Sequence, residues 1–340
     1  MNSSLLPQQC FDIVHVSEIS AARRYGQQIA KEIGFDETQA GKLAILITEA
    51  ATNMLKHAGG GKLYIMQTSW HGGNAVDILA ADKGPGIGNL GFAFRDGVSS
   101  TGTAGNGLGA LRRLSDEFDV YSVRDKGACF FMRIWAAIPE KRQMLEIGGV
   151  CIPFPGEEVC GDAWAATGNA TTFTMLMADG LGHGPEAAIP ASYAVNTLRS
   201  MPSAPITRLM ETADNALHGT RGAALAIARL SLDEDRLNFA GIGNISVCVV
   251  NGEIQKQLMS HNGIVGNKIR KIHEYDHPFL PQSLCIMHSD GISTQWDMDN
   301  YPGLVTCHPS LIAVVLLRDF SRGRDDATVL VARYPLNVRT

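Results

Sequence analysis

At Pro139-Glu140-Lys141-Arg142 the texture of the sequence changes, and the change points to two cores rather than one. Before this break, helix-like and strand-like stretches surround a glycine-rich region. After it, apolar strand-like runs follow one another: "LEIGGVCIPF", "TTFTMLMAD", "GAALAIARLS", "RLNFAGIG", "ISVCVVNG", "SLCIMHSD" and "ATVLVARY". Two helices are expected to interrupt them, near 185–200 and 205–217. A chain of 340 residues has room for two domains of ordinary size. The division expected is 1–140 and 141–340, in an α+β chain whose helix-and-sheet sandwich precedes a layered, strand-rich domain.

In the first half, Ser17 is the expected cap of a helix that stops at Gly34. Asp36 caps the next helix, with Gln39 three residues on as in a capping box. Ala40, Leu43, Ala44, Ile47, Ala51 and Met54 recur there at helical spacing, up to an end near His57. Strands are expected in "KLYIMQTSW" and "NAVDILAAD", joined by the turn at 71–74. A glycine-rich region follows, then a helix over about 108–118 and strands in "FDVYSVRD" and "ACFFMRIWAAI".

Glu49 and Asn53 lie four positions apart, about 40° around a helix, so both project from one face. An isolated pair of this kind is the polar edge of an amphipathic helix. The glycine segments change its meaning. "ADKGPGIG" sets Asp82, Gly84, Gly86 and Gly88 directly after an apolar strand, and "GTAGNGLGALRRLSDEF" opens a helix with Gly105, Gly107 and Gly109. Glycine permits close backbone approach, and a helix N-terminus offers unpaired N–H groups to an anion. A carboxylate at a strand end can accept a hydrogen bond from a base, and an amide oxygen is a neutral, hard ligand for magnesium. The parts make a nucleotide pocket: Asp82 for the base, the second glycine segment with Leu108 for phosphates, Asn53 for the metal. Glu49 is placed to take a proton from an attacking hydroxyl. No Gly-x-x-x-x-Gly-Lys-Ser/Thr occurs, which excludes a P-loop. Gly86, Gly88 and Gly91 spell Gly-x-Gly-x-x-Gly, but Gly97, Gly102 and Gly105 interrupt the long helix a dinucleotide fold requires.

Charge and cysteine usage exclude other classes. Lys plus Arg total 29 against 34 Asp plus Glu, a net charge of −5 with no basic run, so nucleic acid is not an expected partner. The apolar run "LIAVVLL" is far too short to span a bilayer, and "MNSSLLPQQC" has no signal-peptide pattern. The 7 cysteines form no Cys-x-x-Cys pair and read as reduced cytoplasmic thiols.

In the second half, Asp162 ("VCGDAW"), Asp179 ("MADGLGHG"), Asp290 ("MHSDGIS") and Asp325 ("GRDDATVLV") share a pattern. Asp179 and Asp290 follow apolar runs and precede glycine; Asp325 and Asp326 precede another run. One Asp-Gly is an ordinary turn. Several at strand ends of one layered sheet converge, and each carboxylate pair at ~4 Å costs about 1 to 4 kcal/mol without a cation. All-oxygen ligands suit Mg²⁺ or Mn²⁺ rather than zinc. Two such ions activate a shared water for in-line attack on a phosphate, and the carbonyl of Gly180 can reach the same metal. His183 reads as a loop histidine before the helix that Pro185 opens. Gly241 and Gly243 in "AGIGN" read as a strand turn.

"TEAATN", "DKGPGIG" and "GNGLGALRRLSDEF", in this order, resemble the N, G1 and G2 boxes of the GHKL ATPases, over roughly residues 10–138. The likeness is to the small serine kinases of bacterial stress and sporulation signalling, and to their RsbT-type branch more than to the RsbW-type anti-sigma factors. It implies a GHKL-type α/β sandwich, ATP with Mg²⁺, and phosphorylation of a STAS-domain anti-anti-sigma or stressosome-type partner. It maps the Mg²⁺ ligand onto Asn53, the base onto Glu49 and the adenine contact onto Asp82. The alternative is a nucleotide-gated binding module of anti-sigma type that transfers no phosphate. "GEEVCGDAW", "ADGLGHGPEAA", "SDGIS" and "RDDATVLVARY" resemble the PPM-type phosphatases of the SpoIIE/RsbX branch, over roughly 145–335. That likeness implies an α-β-β-α fold and a phosphoserine/phosphothreonine phosphatase with two Mn²⁺ or Mg²⁺. Its ligands map onto Asp162, Asp179, the Gly180 carbonyl, Asp290 and Asp325. Asp326 stands where many relatives carry Asn, which leaves either member of the pair as ligand. No phosphate-gripping arginine is assigned.

Overall fold

The computed structural model describes residues 2–4, 8–70, 72–93, 107–140, 145–252 and 254–335. Contacts separate two units: Leu6–Glu140, and Lys141–Thr340 together with Met1–Leu5. The chain opens with a short strand, β1 (Asn2–Ser4), that belongs to the second unit.

In the first unit, β2 (Gln8–Ile13) leads into α1 (Val16–Glu32) and α2 (Glu37–Asn53). The cap of α1 is His15, not Ser17. The Glu18 carboxylate accepts the His15 N–H at 2.6 Å, and Ser17, already inside the first turn, donates its hydroxyl to that carboxylate at 3.0 Å. At α2 the box forms as expected: Asp36 Oδ1 accepts the Gln39 N–H at 2.7 Å, and Gln39 Oε1 accepts the Asp36 N–H at 2.9 Å. A π-helical turn, Met54–Ala58, continues α2 until Gly59 stops it with φ of 73°. There follow β3 (Gly61–Trp70), β4 (Gly73–Ala81), α3 (Leu90–Ala93), α4 (Gly107–Leu114), β5 (Glu117–Ser122) and β6 (Ala128–Trp135). The helix expected over 108–118 ends early because the sheet captures its last residues. The Asp116 N–H donates to the Arg133 carbonyl at 2.9 Å, and Phe118 pairs with Met132.

The strands form one antiparallel sheet, β2-β3-β4-β6-β5. Alternation sends Leu63, Ile65, Val76, Ile78, Phe130 and Met132 to the face that packs on Leu43, Leu46, Ile47 and Ala50 of α2. Burying each large apolar chain contributes roughly 1.5–3 kcal/mol. Across β4 and β6, Arg133 donates to both oxygens of Asp77, at 2.6 and 2.7 Å, and its ring-stacked guanidinium lies 5.0 Å from the Trp135 ring centre. Both charges are buried and neutralise one another.

The second unit contains β7 (Glu146–Ile152), β8 (Asp162–Gly168), β9 (Thr172–Gly180), α5 (Pro185–Ser200), α6 (Ile206–Ala216) and β10 (Ala223–Ser231). It continues through β11 (Arg236–Ile242), β12 (Ser246–Asn251), β13 (Ile254–Leu258), β14 (Tyr275–Pro278), β15 (Leu284–His288), α7 (Pro309–Phe320) and β16 (Ala327–Arg333). Two antiparallel sheets result, β1-β8-β9-β10-β11-β14 and β13-β12-β15-β16-β7. Helices α5 and α6 cover the first through a core that includes Leu176, Leu198, Leu209 and Leu225. Helix α7 lies on β7 and β16 of the second. The order of layers is α-β-β-α. Gly149 of β7 leaves room for the Trp164 ring of β8: an added Cβ would lie 3.0 Å from it.

The elements β1, β2, α3, β8, β13, β14 and α7 have no counterpart among the expected ones, and for two of them the reason is physical. The run "LIAVVLL" is the middle of α7; residues 309–317 are all buried, so no polar face marks the helical period. Strand β8 reads "DAWAATG", whose small residues carry little strand propensity. Among the described residues, no helix is long and apolar enough to cross a membrane.

Candidate functional sites

In the first unit the loop after β4 meets the end of α2, and α4 packs on the same helix. Glu49 and Asn53 are half-buried on its last turns. The π turn that follows is wider than an α turn, a form that recurs at functional sites. Its last residue, Ala58, meets the glycine loop: a Cβ on Gly84 would lie 2.5 Å from the Ala58 Cβ. Met54 and Asp82 close on Gly61, where an added Cβ would lie 2.6 Å from Met54 Sδ and 3.3 Å from Asp82 Cβ. Asp82 follows β4 and is buried; its Oδ1 accepts the N–H of Gly84 at 2.9 Å and of Ala128 at 3.2 Å. Gly86, with φ of 68°, fits against the Val123 carbonyl, 2.3 Å from where its Cβ would stand. These two glycines therefore have packing reasons of their own besides any ligand. Helix α4 packs on α2; Leu108 is half-buried against the core and Gly109 is buried. Gly105 lies outside the described residues, and of Gly107 only its place at the start of α4 is described.

One atom stands out. The Asn53 Nδ2 is buried and has no hydrogen-bond partner among the described residues. A buried donor without an acceptor costs about 1–3 kcal/mol. An amide whose nitrogen meets a phosphate oxygen and whose oxygen meets a hard cation has both ends satisfied, so the residue fits Mg²⁺-nucleotide.

In the second unit the aspartates come from the same end of both sheets. Asp162 opens β8 and Asp179 nearly closes β9, and the two are direct cross-strand partners. Asp290 follows β15, while Asp325 and Asp326 precede β16. Close packing holds the strand ends together. A Cβ on Gly161 would lie 2.7 Å from Asp326 Oδ2, one on Gly180 1.9 Å from the Ala187 carbonyl, and one on Gly291 1.9 Å from the Asp326 carbonyl.

Asp325 and Asp326, the two alternatives, differ in burial. Asp326 is buried; its Oδ1 accepts the Phe154 N–H at 2.8 Å and its Oδ2 has no partner among the described residues. Asp325 is half-buried and faces Asp179 and Asp290 closely enough to perturb both. Asp162 is buried with neither oxygen in a full hydrogen bond, although the Ser289 and Thr328 hydroxyls are close enough to favour its charged form.

Burial pushes the Asp162 carboxyl up to about 7, with Asp326 and Asp290 adding to the rise and the two hydroxyls opposing it. Burial, then Asp162, Asp290, Asp325 and Asp326, push Asp179 up to about 9. Asp290 is raised by burial and by Asp325, against Arg322 and the Asn244 amide, which donates to its Oδ2 at 2.7 Å. Among the described residues no three Asp, Glu, His or Cys side chains close on a single point as a finished coordination shell does. The five carboxylates are neighbours whose mutual repulsion and unmet oxygens fit hard divalent cations.

The signs give a test. Without metal, Asp162 and Asp179 hold protons in the folded protein at pH values where the unfolded chain has lost them. Their contribution to stability is present below about pH 4 and is lost as pH rises through about 7 for Asp162 and about 9 for Asp179. The loss amounts to at most ~1.4 kcal/mol per pH unit and group. In chelator, the melting temperature of this unit is expected to fall from about pH 6 to about pH 8, and Mn²⁺ to stabilise more at the higher pH. A metal-free melting temperature that rises over that range would contradict the cluster.

Four supporting residues escape a reading of motifs. Asn244 sits in the turn after Gly243; Ser289 and Thr328 bracket the aspartates, the Ser289 Oγ accepting the Thr328 N–H at 3.0 Å; Arg322 faces Asp290. A polar residue directly after a glycine turn was the only local signal, at Asn244. His183 is tied down: its Nδ1 is 2.9 Å from Glu157 Oε1 and its ring stacks on Phe154, centres 4.3 Å apart.

Comparison with known proteins finds a family in each part of the chain. Residues 15–134 match the family described as histidine kinase-like ATPase domain, and residues 169–335 match that of stage II sporulation protein E, SpoIIE. The chain is 38% identical over 120 residues to the serine/threonine-protein kinase RsbT of Bacillus subtilis (strain 168), covering 35% of this chain and 90% of that protein. It is 22% identical over 140 residues to the phosphoserine phosphatase RsbX of the same organism, covering 41% of this chain and 70% of that protein. A solved structure described as "The bacterial stressosome: a modular system that has been adapted to control secondary messenger signaling" superposes with a TM-score of 0.52 at 27% identity, over 56% of this chain and 99% of that one. Asp179, Asp290 and Asp325 lie inside the SpoIIE match and Asp162 just before it. The chain belongs to the RsbT-like histidine kinase-like ATPases through its N-terminal part and carries a SpoIIE-type PPM phosphatase domain after it, a fusion of the two.

Proposed function

We propose that this protein adds phosphate to a serine or threonine of a STAS-type partner with its first domain and removes it with its second. The boundary at 140/141 would then separate two opposed activities in one cytoplasmic switch. The observation that carries the reading is that each half keeps a complete set of chemical parts: Glu49, Asn53 and Asp82 in one, and Asp162, Asp179, Asp290 and Asp325 in the other. The stressosome likeness and the RsbT relationship favour a STAS-domain or stressosome-type partner.

In the first domain, Asn53 would hold the Mg²⁺ of ATP through its amide oxygen. Asp82 would accept the adenine amino group, and the start of α4 would receive phosphate on backbone N–H groups. Glu49, one turn from Asn53, takes the proton of the partner's hydroxyl as it attacks. In the second domain, Asp179, the Gly180 carbonyl, Asp290 and Asp325 would hold two Mn²⁺ or Mg²⁺, with Asp162 behind them. Such ions, when bound, supply Lewis acidity and a water of lowered pKa. Asn244 orients Asp290. Asp326 accepts the Phe154 N–H of the 152–159 loop, which favours Asp325 as the member of the pair that would hold a cation.

The test is a labelling cycle. The full chain, a co-encoded STAS protein and γ-labelled ATP with Mg²⁺ should give labelled partner, and chelation of ATP-Mg²⁺ followed by Mn²⁺ should release the label as phosphate. Tight, ATP-dependent binding of the partner without transfer would replace the kinase with a nucleotide-gated clamp.

A further inference from the structure

Cys151 and Cys160 carry a feature that neither activity uses. Their Sγ atoms lie 3.0 Å apart, both as free thiols. A disulfide requires about 2.05 Å, so ~1 Å of approach closes the bond. Cys151 is buried near the end of β7; Cys160 is half-buried, directly before Gly161 and Asp162. Cys160 is the less buried of the two, although Cys151, burial and the neighbouring Asp162 and Asp326 push its thiol well up, and Cys151 is placed to resolve it within the same chain.

The segment between them, residues 152–159, is attached to the aspartate cluster at two points. The Phe154 N–H donates to Asp326 at 2.8 Å, and Glu157 pairs with His183 in the loop after Asp179 and Gly180. Cys151 Sγ also approaches the Asp162 carbonyl, at 3.9 Å, and Thr328, beside Asp162, is the cross-strand partner of Cys151. A bond between the sulfurs therefore acts on the segment that carries Asp162 and contacts Asp326.

We propose that Cys151 and Cys160 are a reversible redox pair, closed to a disulfide by a peroxide-class oxidant, and that closure lowers the activity of the aspartate site. The second clause rests on the phosphatase reading above. In the forward step the Cys160 sulfur attacks one peroxide oxygen, the O–O bond breaks and one water leaves, giving a sulfenic acid. The Cys151 sulfur then attacks that sulfur, the S–O bond breaks, the S–S bond forms and a second water leaves. The two thiols lose two electrons and two protons, all of which the peroxide receives. A dithiol reverses the change by exchange. In a reducing compartment the pair rests open, and disulfides there are transient and signalling rather than structural.

The experiment treats the full-length protein with hydrogen peroxide at mildly alkaline pH, then maps non-reduced peptides and measures Mn²⁺-dependent release of phosphate from a phosphoserine peptide. A peptide pair joining Cys151 to Cys160 is expected, with phosphatase activity lower by about tenfold, the scale for disturbing groups that orient metal ligands. Dithiothreitol should restore it, and Cys160→Ser or Cys151→Ala should keep the activity of the reduced protein and resist the oxidant. Absence of that cross-link, while other thiols are oxidised, overturns the pair. A cross-link that forms with undiminished activity overturns its control of the site. Reduced protein with no phosphatase activity refutes the phosphatase reading instead, and the peptide map still decides the disulfide.

Discussion

Asp179→Asn is expected to slow Mn²⁺-dependent dephosphorylation by about 10³-fold while leaving ATP-dependent labelling of the partner in place. Removing a carboxylate that would hold the cations forfeits several kcal/mol of metal-based stabilisation, and each 1.36 kcal/mol is tenfold in rate. The same substitution should raise the melting temperature of the metal-free protein at neutral pH and flatten its pH dependence. The reason is the linkage already described: burial and four neighbouring aspartates hold the Asp179 carboxyl at about 9, so folding at neutral pH must protonate it, and an amide that is neutral in both states avoids that cost. An aspartate that merely starts a turn predicts the reverse pairing, unchanged activity and lower stability. The two measurements, phosphate release and thermal denaturation in chelator, thus separate the site from the turn. Asp326→Asn offers a control, because its Oδ1 is engaged with the Phe154 N–H and an amide oxygen can keep that bond. Its effect on turnover should be smaller than that of Asp179→Asn.

The second large effect is a split between neighbours on α2. Glu49→Gln should reduce phosphoryl transfer to the partner by about 10²- to 10⁴-fold, the usual contribution of a general base, with nucleotide affinity nearly unchanged. Asn53→Ala should lose both transfer and Mg²⁺-dependent nucleotide binding. It also removes the buried Nδ2 that has no partner among the described residues, so the folded protein should not be destabilised by the loss of a bond. Labelling rates and fluorescent-nucleotide titration read the two quantities separately. Equal nucleotide affinity in wild type and Asn53→Ala would remove the metal assignment from that residue. Wild-type labelling by Glu49→Gln would remove the base.

Much of the local structure is legible in short stretches of sequence. Asp36 and Gln39 form the reciprocal cap that their spacing announces, and Leu43, Ile47 and Ala51 form the buried stripe that their period announces. Where the reading of single residues falls short, a competing contact or complete burial is the reason. Ser17 lost the cap to His15 because Glu18 reaches back to the His15 N–H. The residues after Leu114 left the helix because β6 supplied hydrogen bonds to them. Helix α7 was hidden by complete burial, since a helix covered on all sides has no polar face to betray its period.

For function, residue types and their order in the chain were enough to indicate a nucleotide pocket and a set of acidic strand ends, because those chemistries demand particular groups beside particular glycines. Sequence could not say that Asp326 turns inward while Asp325 faces Asp179 and Asp290, that Asn244 holds Asp290, or that Cys151 and Cys160 touch. Those relations join residues at or beside the ends of different strands, and they exist only once the pairing of β7 with β16, of β12 with β15 and of β15 with β16 sets the register. Strand register is settled by burial summed over a whole sheet, a quantity that no short segment contains.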